Sequence, residues 1–245
     1  MSSKERLDQL LVLRGLVESR EQAQRVIRAG AVRVESDVAT KPGHSYAVDV
    51  ELTLDEGPRF VSRGGEKLVA ALEVFEIDPN GRVAVDVGAS TGGFTDCLLQ
   101  QGARLVYAVD VGKGQLHWKL RQDARVVVME SCNARYLDGS EFQERPTMAV
   151  ADVSFISLTK IFPALKSILS SGAEIITLIK PQFEAGREQV GKGGVVRDPA
   201  VHQTVIDTVR QVGETEIGWH WGGVCESPIR GPAGNIEFLA YWRVP

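Results

Sequence analysis

Cysteine is scarce in this chain of 245 residues: Cys97, Cys132 and Cys225 stand far apart, form no C-x-x-C pair and are odd in number. That excludes a disulfide framework and a cysteine-built zinc site, and a reducing, cytoplasmic setting is expected. The histidines His44, His117, His202 and His220 fall in no ligand spacing, so no metal is expected. No apolar run approaches the ~18 residues of a membrane span. The start, MSSKERLDQL, lacks the apolar stretch of a secretory leader, and none is expected. Repeats and low-complexity stretches are absent. Charge of one sign is lacking too: the net charge of −4 excludes a wholly basic nucleic-acid coat, though not a local basic patch.

What is present is an ordinary globular composition, 43% hydrophobic and 24% charged. A chain of this length buries roughly 70% of its unfolded surface and folds without staples. Gly57-Pro58 marks a boundary, giving expected domains 1–58 and 59–245. In the first, Leu7, Leu10, Leu11 and Leu13 carry a helical period ended by Gly15. Ser19 and Gln22 fit a capping box for a second helix with Ala23, Val26 and Ile27 on its apolar stripe and Gly30 beyond its end. Short strands are expected at 31–35 and within 46–54. Residues 1–34 carry seven basic against four acidic side chains. The candidate RNA-binding arginines are Arg6, Arg14, Arg20, Arg25, Arg28 and Arg33, with Arg25 and Arg28 on one helix face. A merely solvated helix face explains the same pattern.

The second segment alternates strands at 82–87, 104–109, 125–129, 148–152 and 174–179 with helices at 94–101, 115–121, 158–169 and 200–212. The strands are nearly continuous in apolar residues, as strands covered on both faces are. The expected fold is α/β, a doubly wound, Rossmann-like, mostly parallel sheet beside a small N-terminal α+β domain. Residues 217–225 and 235–243 have no helix between them and are expected to pair antiparallel at the sheet edge.

The sharpest motif is Asp86-Val87-Gly88-Ala89-Ser90-Thr91-Gly92-Gly93-Phe94, between the first of these strands and the first helix. Glycines there allow close approach of a ligand, and the turn lies at the carboxyl ends of the strands, where ligands bind. Asp110 ends the next strand, where an acid suits a ribose diol. Ser90 replaces the second glycine of G-x-G-x-x-G, and Asp86 would repel a pyrophosphate. S-adenosyl-L-methionine is therefore favoured over a nicotinamide dinucleotide or a turn that binds nothing. Asn133, Asp152 and Lys180 come to the same sheet edge. By itself Asp152 reads also as a turn cap, Lys180 as a snorkelling edge residue, Lys67 as a solvated helix residue and Glu237 as a half-exposed strand residue.

Five segments then carry a resemblance. Ser62-Arg63-Gly64-Gly65-Glu66-Lys67-Leu68, the Asp86–Phe94 run, Ala151-Asp152-Val153-Ser154-Phe155-Ile156-Ser157, Leu178-Ile179-Lys180-Pro181-Gln182-Phe183-Glu184 and Gly231-Pro232-Ala233-Gly234-Asn235-Ile236-Glu237 occur in order. Together they resemble the TlyA family of rRNA cytidine 2′-O-methyltransferases, also called hemolysins. The resemblance covers nearly the whole chain. It makes the first segment similar to a small RNA-binding domain of ribosomal-protein type and the second similar to FtsJ-like methyltransferases.

The resemblance implies a catalytic set at Lys67, Asp152, Lys180 and Glu237. It implies S-adenosylmethionine contacts at Asp86, Gly88, Ala89, Ser90, Thr91, Gly92, Gly93, Phe94, Asp110, Asn133 and Asp152. Arg63 joins the RNA-binding set. Shorter family members tend to modify large-subunit rRNA, so an end at Pro245 favours the 23S molecule, with 16S as the other substrate. In the expected mechanism Lys180 is the base, Asp152 and Glu237 orient it, and Lys67 positions the 2′-oxygen or a phosphate. The expected partner is ribosomal RNA within ribosomal subunits, with no membrane. Two other readings remain at this level: a ribosome assembly factor that transfers nothing, and a membrane-active hemolysin.

Overall fold

The computed structural model describes residues 3–55 and 57–245. The chain divides into two units, Met1–Arg59 and Phe60–Pro245.

In the first unit β1 (Lys4–Arg6) leads directly into α1 (Leu7–Leu13), and α2 (Arg20–Arg28), β2 (Val32–Val34), β3 (Asp37–Ala39), β4 (Ser45–Ala47) and β5 (Leu52–Leu54) follow. Leu7, Leu10 and Leu11 are fully buried, whereas Leu13, in the same stripe by spacing, is 70% exposed. Gly15 takes a left-handed φ of +69° just past the end of α1, a conformation cheap only for glycine. Ser19 Oγ accepts the Gln22 amide at 3.2 Å and caps α2, but the Gln22 side chain accepts from the Glu18 amide, one residue outside the expected box. Leu7, Leu11, Ala23, Ile27, Val32 and Val34 form the core of this unit. At about 1.5–3 kcal/mol per buried large aliphatic side chain, that core favours one arrangement of the short elements. The strands pair as a three-stranded sheet β3-β2-β5 and a two-stranded ribbon β1-β4. The polar β1 and the short β3 carry no period of their own, and pairing defines them.

The second unit opens with α3 (Gly64–Val74). It continues with β6 (Val83–Val87), α4 (Gly93–Gln100), β7 (Leu105–Val109), α5 (Trp118–Arg121), β8 (Val126–Met129), β9 (Met148–Ala151) and α6 (Phe162–Ile168). β10 (Glu174–Ile179), α7 (Pro181–Glu184), α8 (Pro199–Gln211), β11 (His220–Glu226) and β12 (Phe238–Arg243) complete it. The seven strands are ordered β11-β12-β10-β9-β6-β7-β8. β6 to β10 are parallel, β12 runs antiparallel against β10, and β11 antiparallel against β12 at the edge. Alternate residues feed opposite faces: Ile175 and Ile179 enter one buried cluster, Ile176 and Leu178 the other. This explains the apolar strands.

Several elements are shorter than their patterns. The expected helix at 158–169 is a 3₁₀ turn at Leu158–Lys160 followed by α6, with Pro163 in its first turn. The helix at 115–121 contracts to α5, which His117 caps. The last two strands, expected from 217 and 235, start at His220 and Phe238; the first is delayed because Val212–Ile217 forms a π turn closed by Gly218 at φ +84°. The chain order reverses between β6 and β9, so the carboxyl ends of these strands open the crevice where a doubly wound sheet binds ligands.

Candidate active site

Four charged side chains from four elements meet above that crevice. Lys67 lies on α3, Asp152 directly after β9, Lys180 directly after β10 and Glu237 directly before β12. Lys67 is 8% exposed, Lys180 9% and Glu237 1%. The solvated and half-exposed readings of Lys67 and Glu237 therefore do not hold. They form two ion pairs: Lys67 Nζ is 2.6 Å from Glu237 Oε2, and Lys180 Nζ is 2.5 Å from Asp152 Oδ1. The second is a charge contact outside hydrogen-bond angles. Lys180 Nζ also donates to Ser154 Oγ at 2.8 Å. Gln182 Nε2 reaches Glu237 Oε1 at 3.5 Å, the outer limit of a hydrogen bond.

Three cavities surround this cluster. One of about 390 Å³ is lined by Gly88, Ser90, Asp110, Asn133 and Asp152, with Val111, Cys132, Phe155, Ile156 and Ile161 as further wall. A second of about 210 Å³ is lined by Arg63, Lys67, Asp152 and Arg230. A third of about 360 Å³ takes Ser154, Phe155, Lys180, Gln182, Phe183 and Glu237. Asp152 borders the first two, and Ser154 and Phe155 border the first and third.

Asp110 is held for its place in the largest of these walls. Its Oδ2 accepts the Ser90 amide at 2.8 Å and its Oδ1 the Gly112 amide at 2.7 Å. Asn133 Oδ1 caps the turn Ala134–Tyr136 through the Arg135 amide. The remaining motif residues, Asp86, Ala89, Thr91, Gly92, Gly93 and Phe94, do not line this cavity. Asp86 is fully buried and its Oδ2 accepts from Thr95 Oγ1 at 2.6 Å, while its Oδ1 has no partner. Burial, with Asp152 and Asp110 nearby, pushes its carboxyl up to about 7.

The glycines here answer to protein packing. At Gly88, φ +84°, a Cβ would stand 2.4 Å from the Asp152 carbonyl oxygen. At Gly92, φ +98°, it would meet Leu120 at 2.2 Å. Gly88 lines the 390 Å³ cavity as well, whereas Gly92 does not.

The arginines differ in their commitments. Arg6 and Arg20 both bind the buried carboxylate of Asp8, which also accepts from Gln24. Arg6 first, then Arg20 and Gln24, hold Asp8 far below the ordinary carboxylate range despite its burial. Arg14 donates to the Val48 carbonyl and Arg33 to that of Ser36. Arg25 and Arg28 are exposed, and neither has an ion-pair partner among the described residues. Arg63 is exposed at the N-terminus of α3, on the 210 Å³ cavity.

Phe155 lies within the Ala151–Ser157 segment, and nothing in its sequence neighbourhood marks it out. It is 91% exposed, at φ +63°, with its ring 5.0 Å from that of Phe183. Strain in a bulky residue at a cavity mouth was the signal, and only backbone geometry carries it. Gln182 and Arg230 were missed as well. Trp118, the first residue of α5, is 66% exposed.

The FtsJ-like methyltransferase model matches residues 60–244 and the S4 domain model residues 5–51. The chain belongs to the TlyA family of FtsJ-like methyltransferases. It is 48% identical to the 16S/23S rRNA (cytidine-2′-O)-methyltransferase TlyA of Mycobacterium tuberculosis, over 99% of this chain and 91% of that protein. It is 42% identical to hemolysin A of Brachyspira hyodysenteriae, over 98% of this chain and all of that one. A solved structure described as a hemolysin, from Streptococcus thermophilus, is 49% identical with a TM-score of 0.75, covering 100% of this chain and 90% of that one. Among the described residues of this TlyA-family chain, no helix is long and apolar enough to cross a membrane.

Proposed function

We propose that the protein transfers a methyl group from S-adenosylmethionine to the ribose 2′-oxygen of a cytidine in ribosomal RNA, 23S before 16S, within ribosomal subunits of the cytoplasm. The observation that carries this is the junction of two lysine–carboxylate pairs with three cavities, where a methyl donor and a ribose can face one another. Residues 1–58 serve as the RNA-holding domain and 59–245 as the transfer domain.

The 390 Å³ cavity fits the donor. The Asp110 carboxylate is fixed by two amides and suits a ribose diol. Val111, Ile156 and Ile161 offer apolar cover for a purine, and Asp152 brings negative charge to its rim. When bound, the donor supplies an electrophilic methyl on a positively charged sulfur. Gly88, Ser90, Asp110, Asn133 and Asp152 hold it, while Asp86, Ala89, Thr91, Gly92, Gly93 and Phe94 build the turn behind them.

The chain's own task is to align and deprotonate the oxygen. A 2′-hydroxyl is a weak nucleophile until its proton leaves. Lys180 lines the 360 Å³ cavity, its partners Asp152 and Ser154 line the donor cavity, and in its neutral form it takes that proton. Asp152 and Ser154 fix the Lys180 amine in direction. Glu237 fixes Lys67, whose amine borders the cavity shared with Arg63 and Asp152 and holds the 2′-oxygen in line. Positioning supplies much of the rate in such a displacement. Phe155, bare at the junction, offers a face for the target base.

The test is transfer of labelled methyl from S-adenosylmethionine to purified small and large ribosomal subunits from cells lacking the gene. Label in large-subunit rRNA is expected. No label in either particle, with donor binding intact, sinks the proposal and favours an assembly factor.

A further inference from the structure

We infer that the cleft between residues 195–202 and 229–236 binds a phosphodiester of the RNA strand beside the target nucleotide. This rests on RNA being the substrate and adds a site outside the four-residue cluster. The cleft encloses about 440 Å³, room for a nucleotide. Arg197 and Arg230 both line it, and no acidic side chain does.

Among the described residues of this unit Arg63, Arg135, Arg145, Arg187, Arg197 and Arg230 have no carboxylate within ion-pair reach, and of these Arg197 and Arg230 line one cleft that holds no acid. Arg82, Arg104, Arg121, Arg125, Arg210 and Arg243 each sit within 4 Å of a carboxylate. Arg197 and Arg230 are exposed, and among the described residues neither has a carboxylate partner. Two unpaired guanidiniums across one acid-free cleft, in a chain of net charge −4, are a local anion site.

The cleft is also built. Asn235, 2% exposed, donates Nδ2 to the Gly194 carbonyl at 2.9 Å and accepts the Val196 amide on Oδ1 at 2.9 Å. The Val196 carbonyl meets His202 Nε2 at 3.0 Å, and the Gly231 amide donates to the Asn235 carbonyl at 2.9 Å. One buried side chain thus ties both walls, so the arginines are presented on a fixed frame. The cleft abuts the site on two sides. Arg230 also lines the 210 Å³ cavity of Lys67 and Asp152. Ala233 also lines the 360 Å³ cavity of Lys180 and Glu237. A strand whose ribose sits at Lys180 carries a neighbouring phosphate to this position.

The experiment uses the full chain and a fluorescent single-stranded RNA oligonucleotide, with Kd followed against potassium chloride. Arg197→Ala and Arg230→Ala are each expected to weaken binding several-fold. Each should flatten the slope of log Kd against log salt by about 0.7, the value for one phosphate contact on a single strand. Arg197→Lys and Arg230→Lys restore the slope. Arg210→Ala, an ion-paired arginine elsewhere, leaves both quantities unchanged. Wild-type affinity and slope in both alanine variants overturn the inference. So does inorganic phosphate that binds as tightly as the oligonucleotide, which would make this a free-anion site. The readout needs no methyl transfer: a protein that binds RNA through these arginines yet transfers nothing sinks the proposed function and leaves the cleft assignment standing.

Discussion

Lys67 Nζ and Glu237 Oε2 lie 2.6 Å apart although 170 residues separate them in the chain. Their pairing ties the first helix of the methyltransferase unit to the start of its last strand, and both side chains are buried. Removing one partner leaves an uncompensated charge, which costs about 3–5 kcal/mol in such settings. Glu237→Ala should lower the denaturation midpoint and transfer together. Lys67→Met with Glu237→Leu should recover much of the stability and none of the transfer, as read by urea melts and labelled-methyl assays. Recovery of transfer in the double variant would remove this pair from the chemistry.

Asp86 gives a pH-dependent stability. Burial raises its folded carboxyl to about 7 from an ordinary 3.8. The unfolded chain therefore releases this proton first. The stability that Asp86 contributes is fully present below about pH 4 and is lost as pH rises to about 7, up to roughly 4 kcal/mol. Asp86→Asn keeps an acceptor for Thr95 and removes the ionisation. Its urea midpoint should exceed that of the wild type at pH 8 and approach it at pH 5. A wild-type midpoint that rises steadily from pH 5 to 8 relative to Asp86→Asn would contradict this.

Gly88→Ala should be among the most damaging small substitutions. It combines a φ of +84° with a Cβ placed 2.4 Å from a backbone oxygen that has no flexible end to move. The expected result is loss of S-adenosylmethionine binding by calorimetry, with a cooperative melt retained at lower temperature. Gly81→Ala, at φ +71° with nothing within 4 Å, should be milder.

Asp8 anchors the first unit. Asp8→Asn leaves Arg6, Arg20 and Gln24 without their shared carboxylate, a loss of about 1–3 kcal/mol. Its carboxyl is held low, so its contribution is present above about pH 4 and lost as pH falls below that value. Hydrogen exchange at the α1 and α2 amides should speed up in Asp8→Asn at pH 7 while β6 and β10 amides stay protected. Unchanged exchange in both helices would contradict the anchor.

The order of strands and helices was legible because buried strands and amphipathic helices write their periods into the sequence. β10 has the boundaries its apolar run implied, since Lys180-Pro181 ends it. Boundaries failed where turns decide them: the π turn before Gly218 and the 3₁₀ turn before α6 have no periodicity to read. The four charged residues at the sheet edge were legible as a set only through the resemblance. Nothing local to Lys67 or Glu237 says that they meet, because that contact is made by the topology. The unpaired arginines of the cleft and the strained Phe155 are properties of surroundings, which a string of residues does not contain.

The most direct test of the account is the position of the transferred methyl and its dependence on Lys180. Large ribosomal subunits would be treated with S-adenosylmethionine and either wild type or Lys180→Met, and the rRNA digested to nucleosides for mass spectrometry. The account predicts 2′-O-methylcytidine with the wild type and a fall of at least about a hundredfold with Lys180→Met, while donor binding persists. A methyl group on a base, or transfer by Lys180→Met at the wild-type rate, would contradict it.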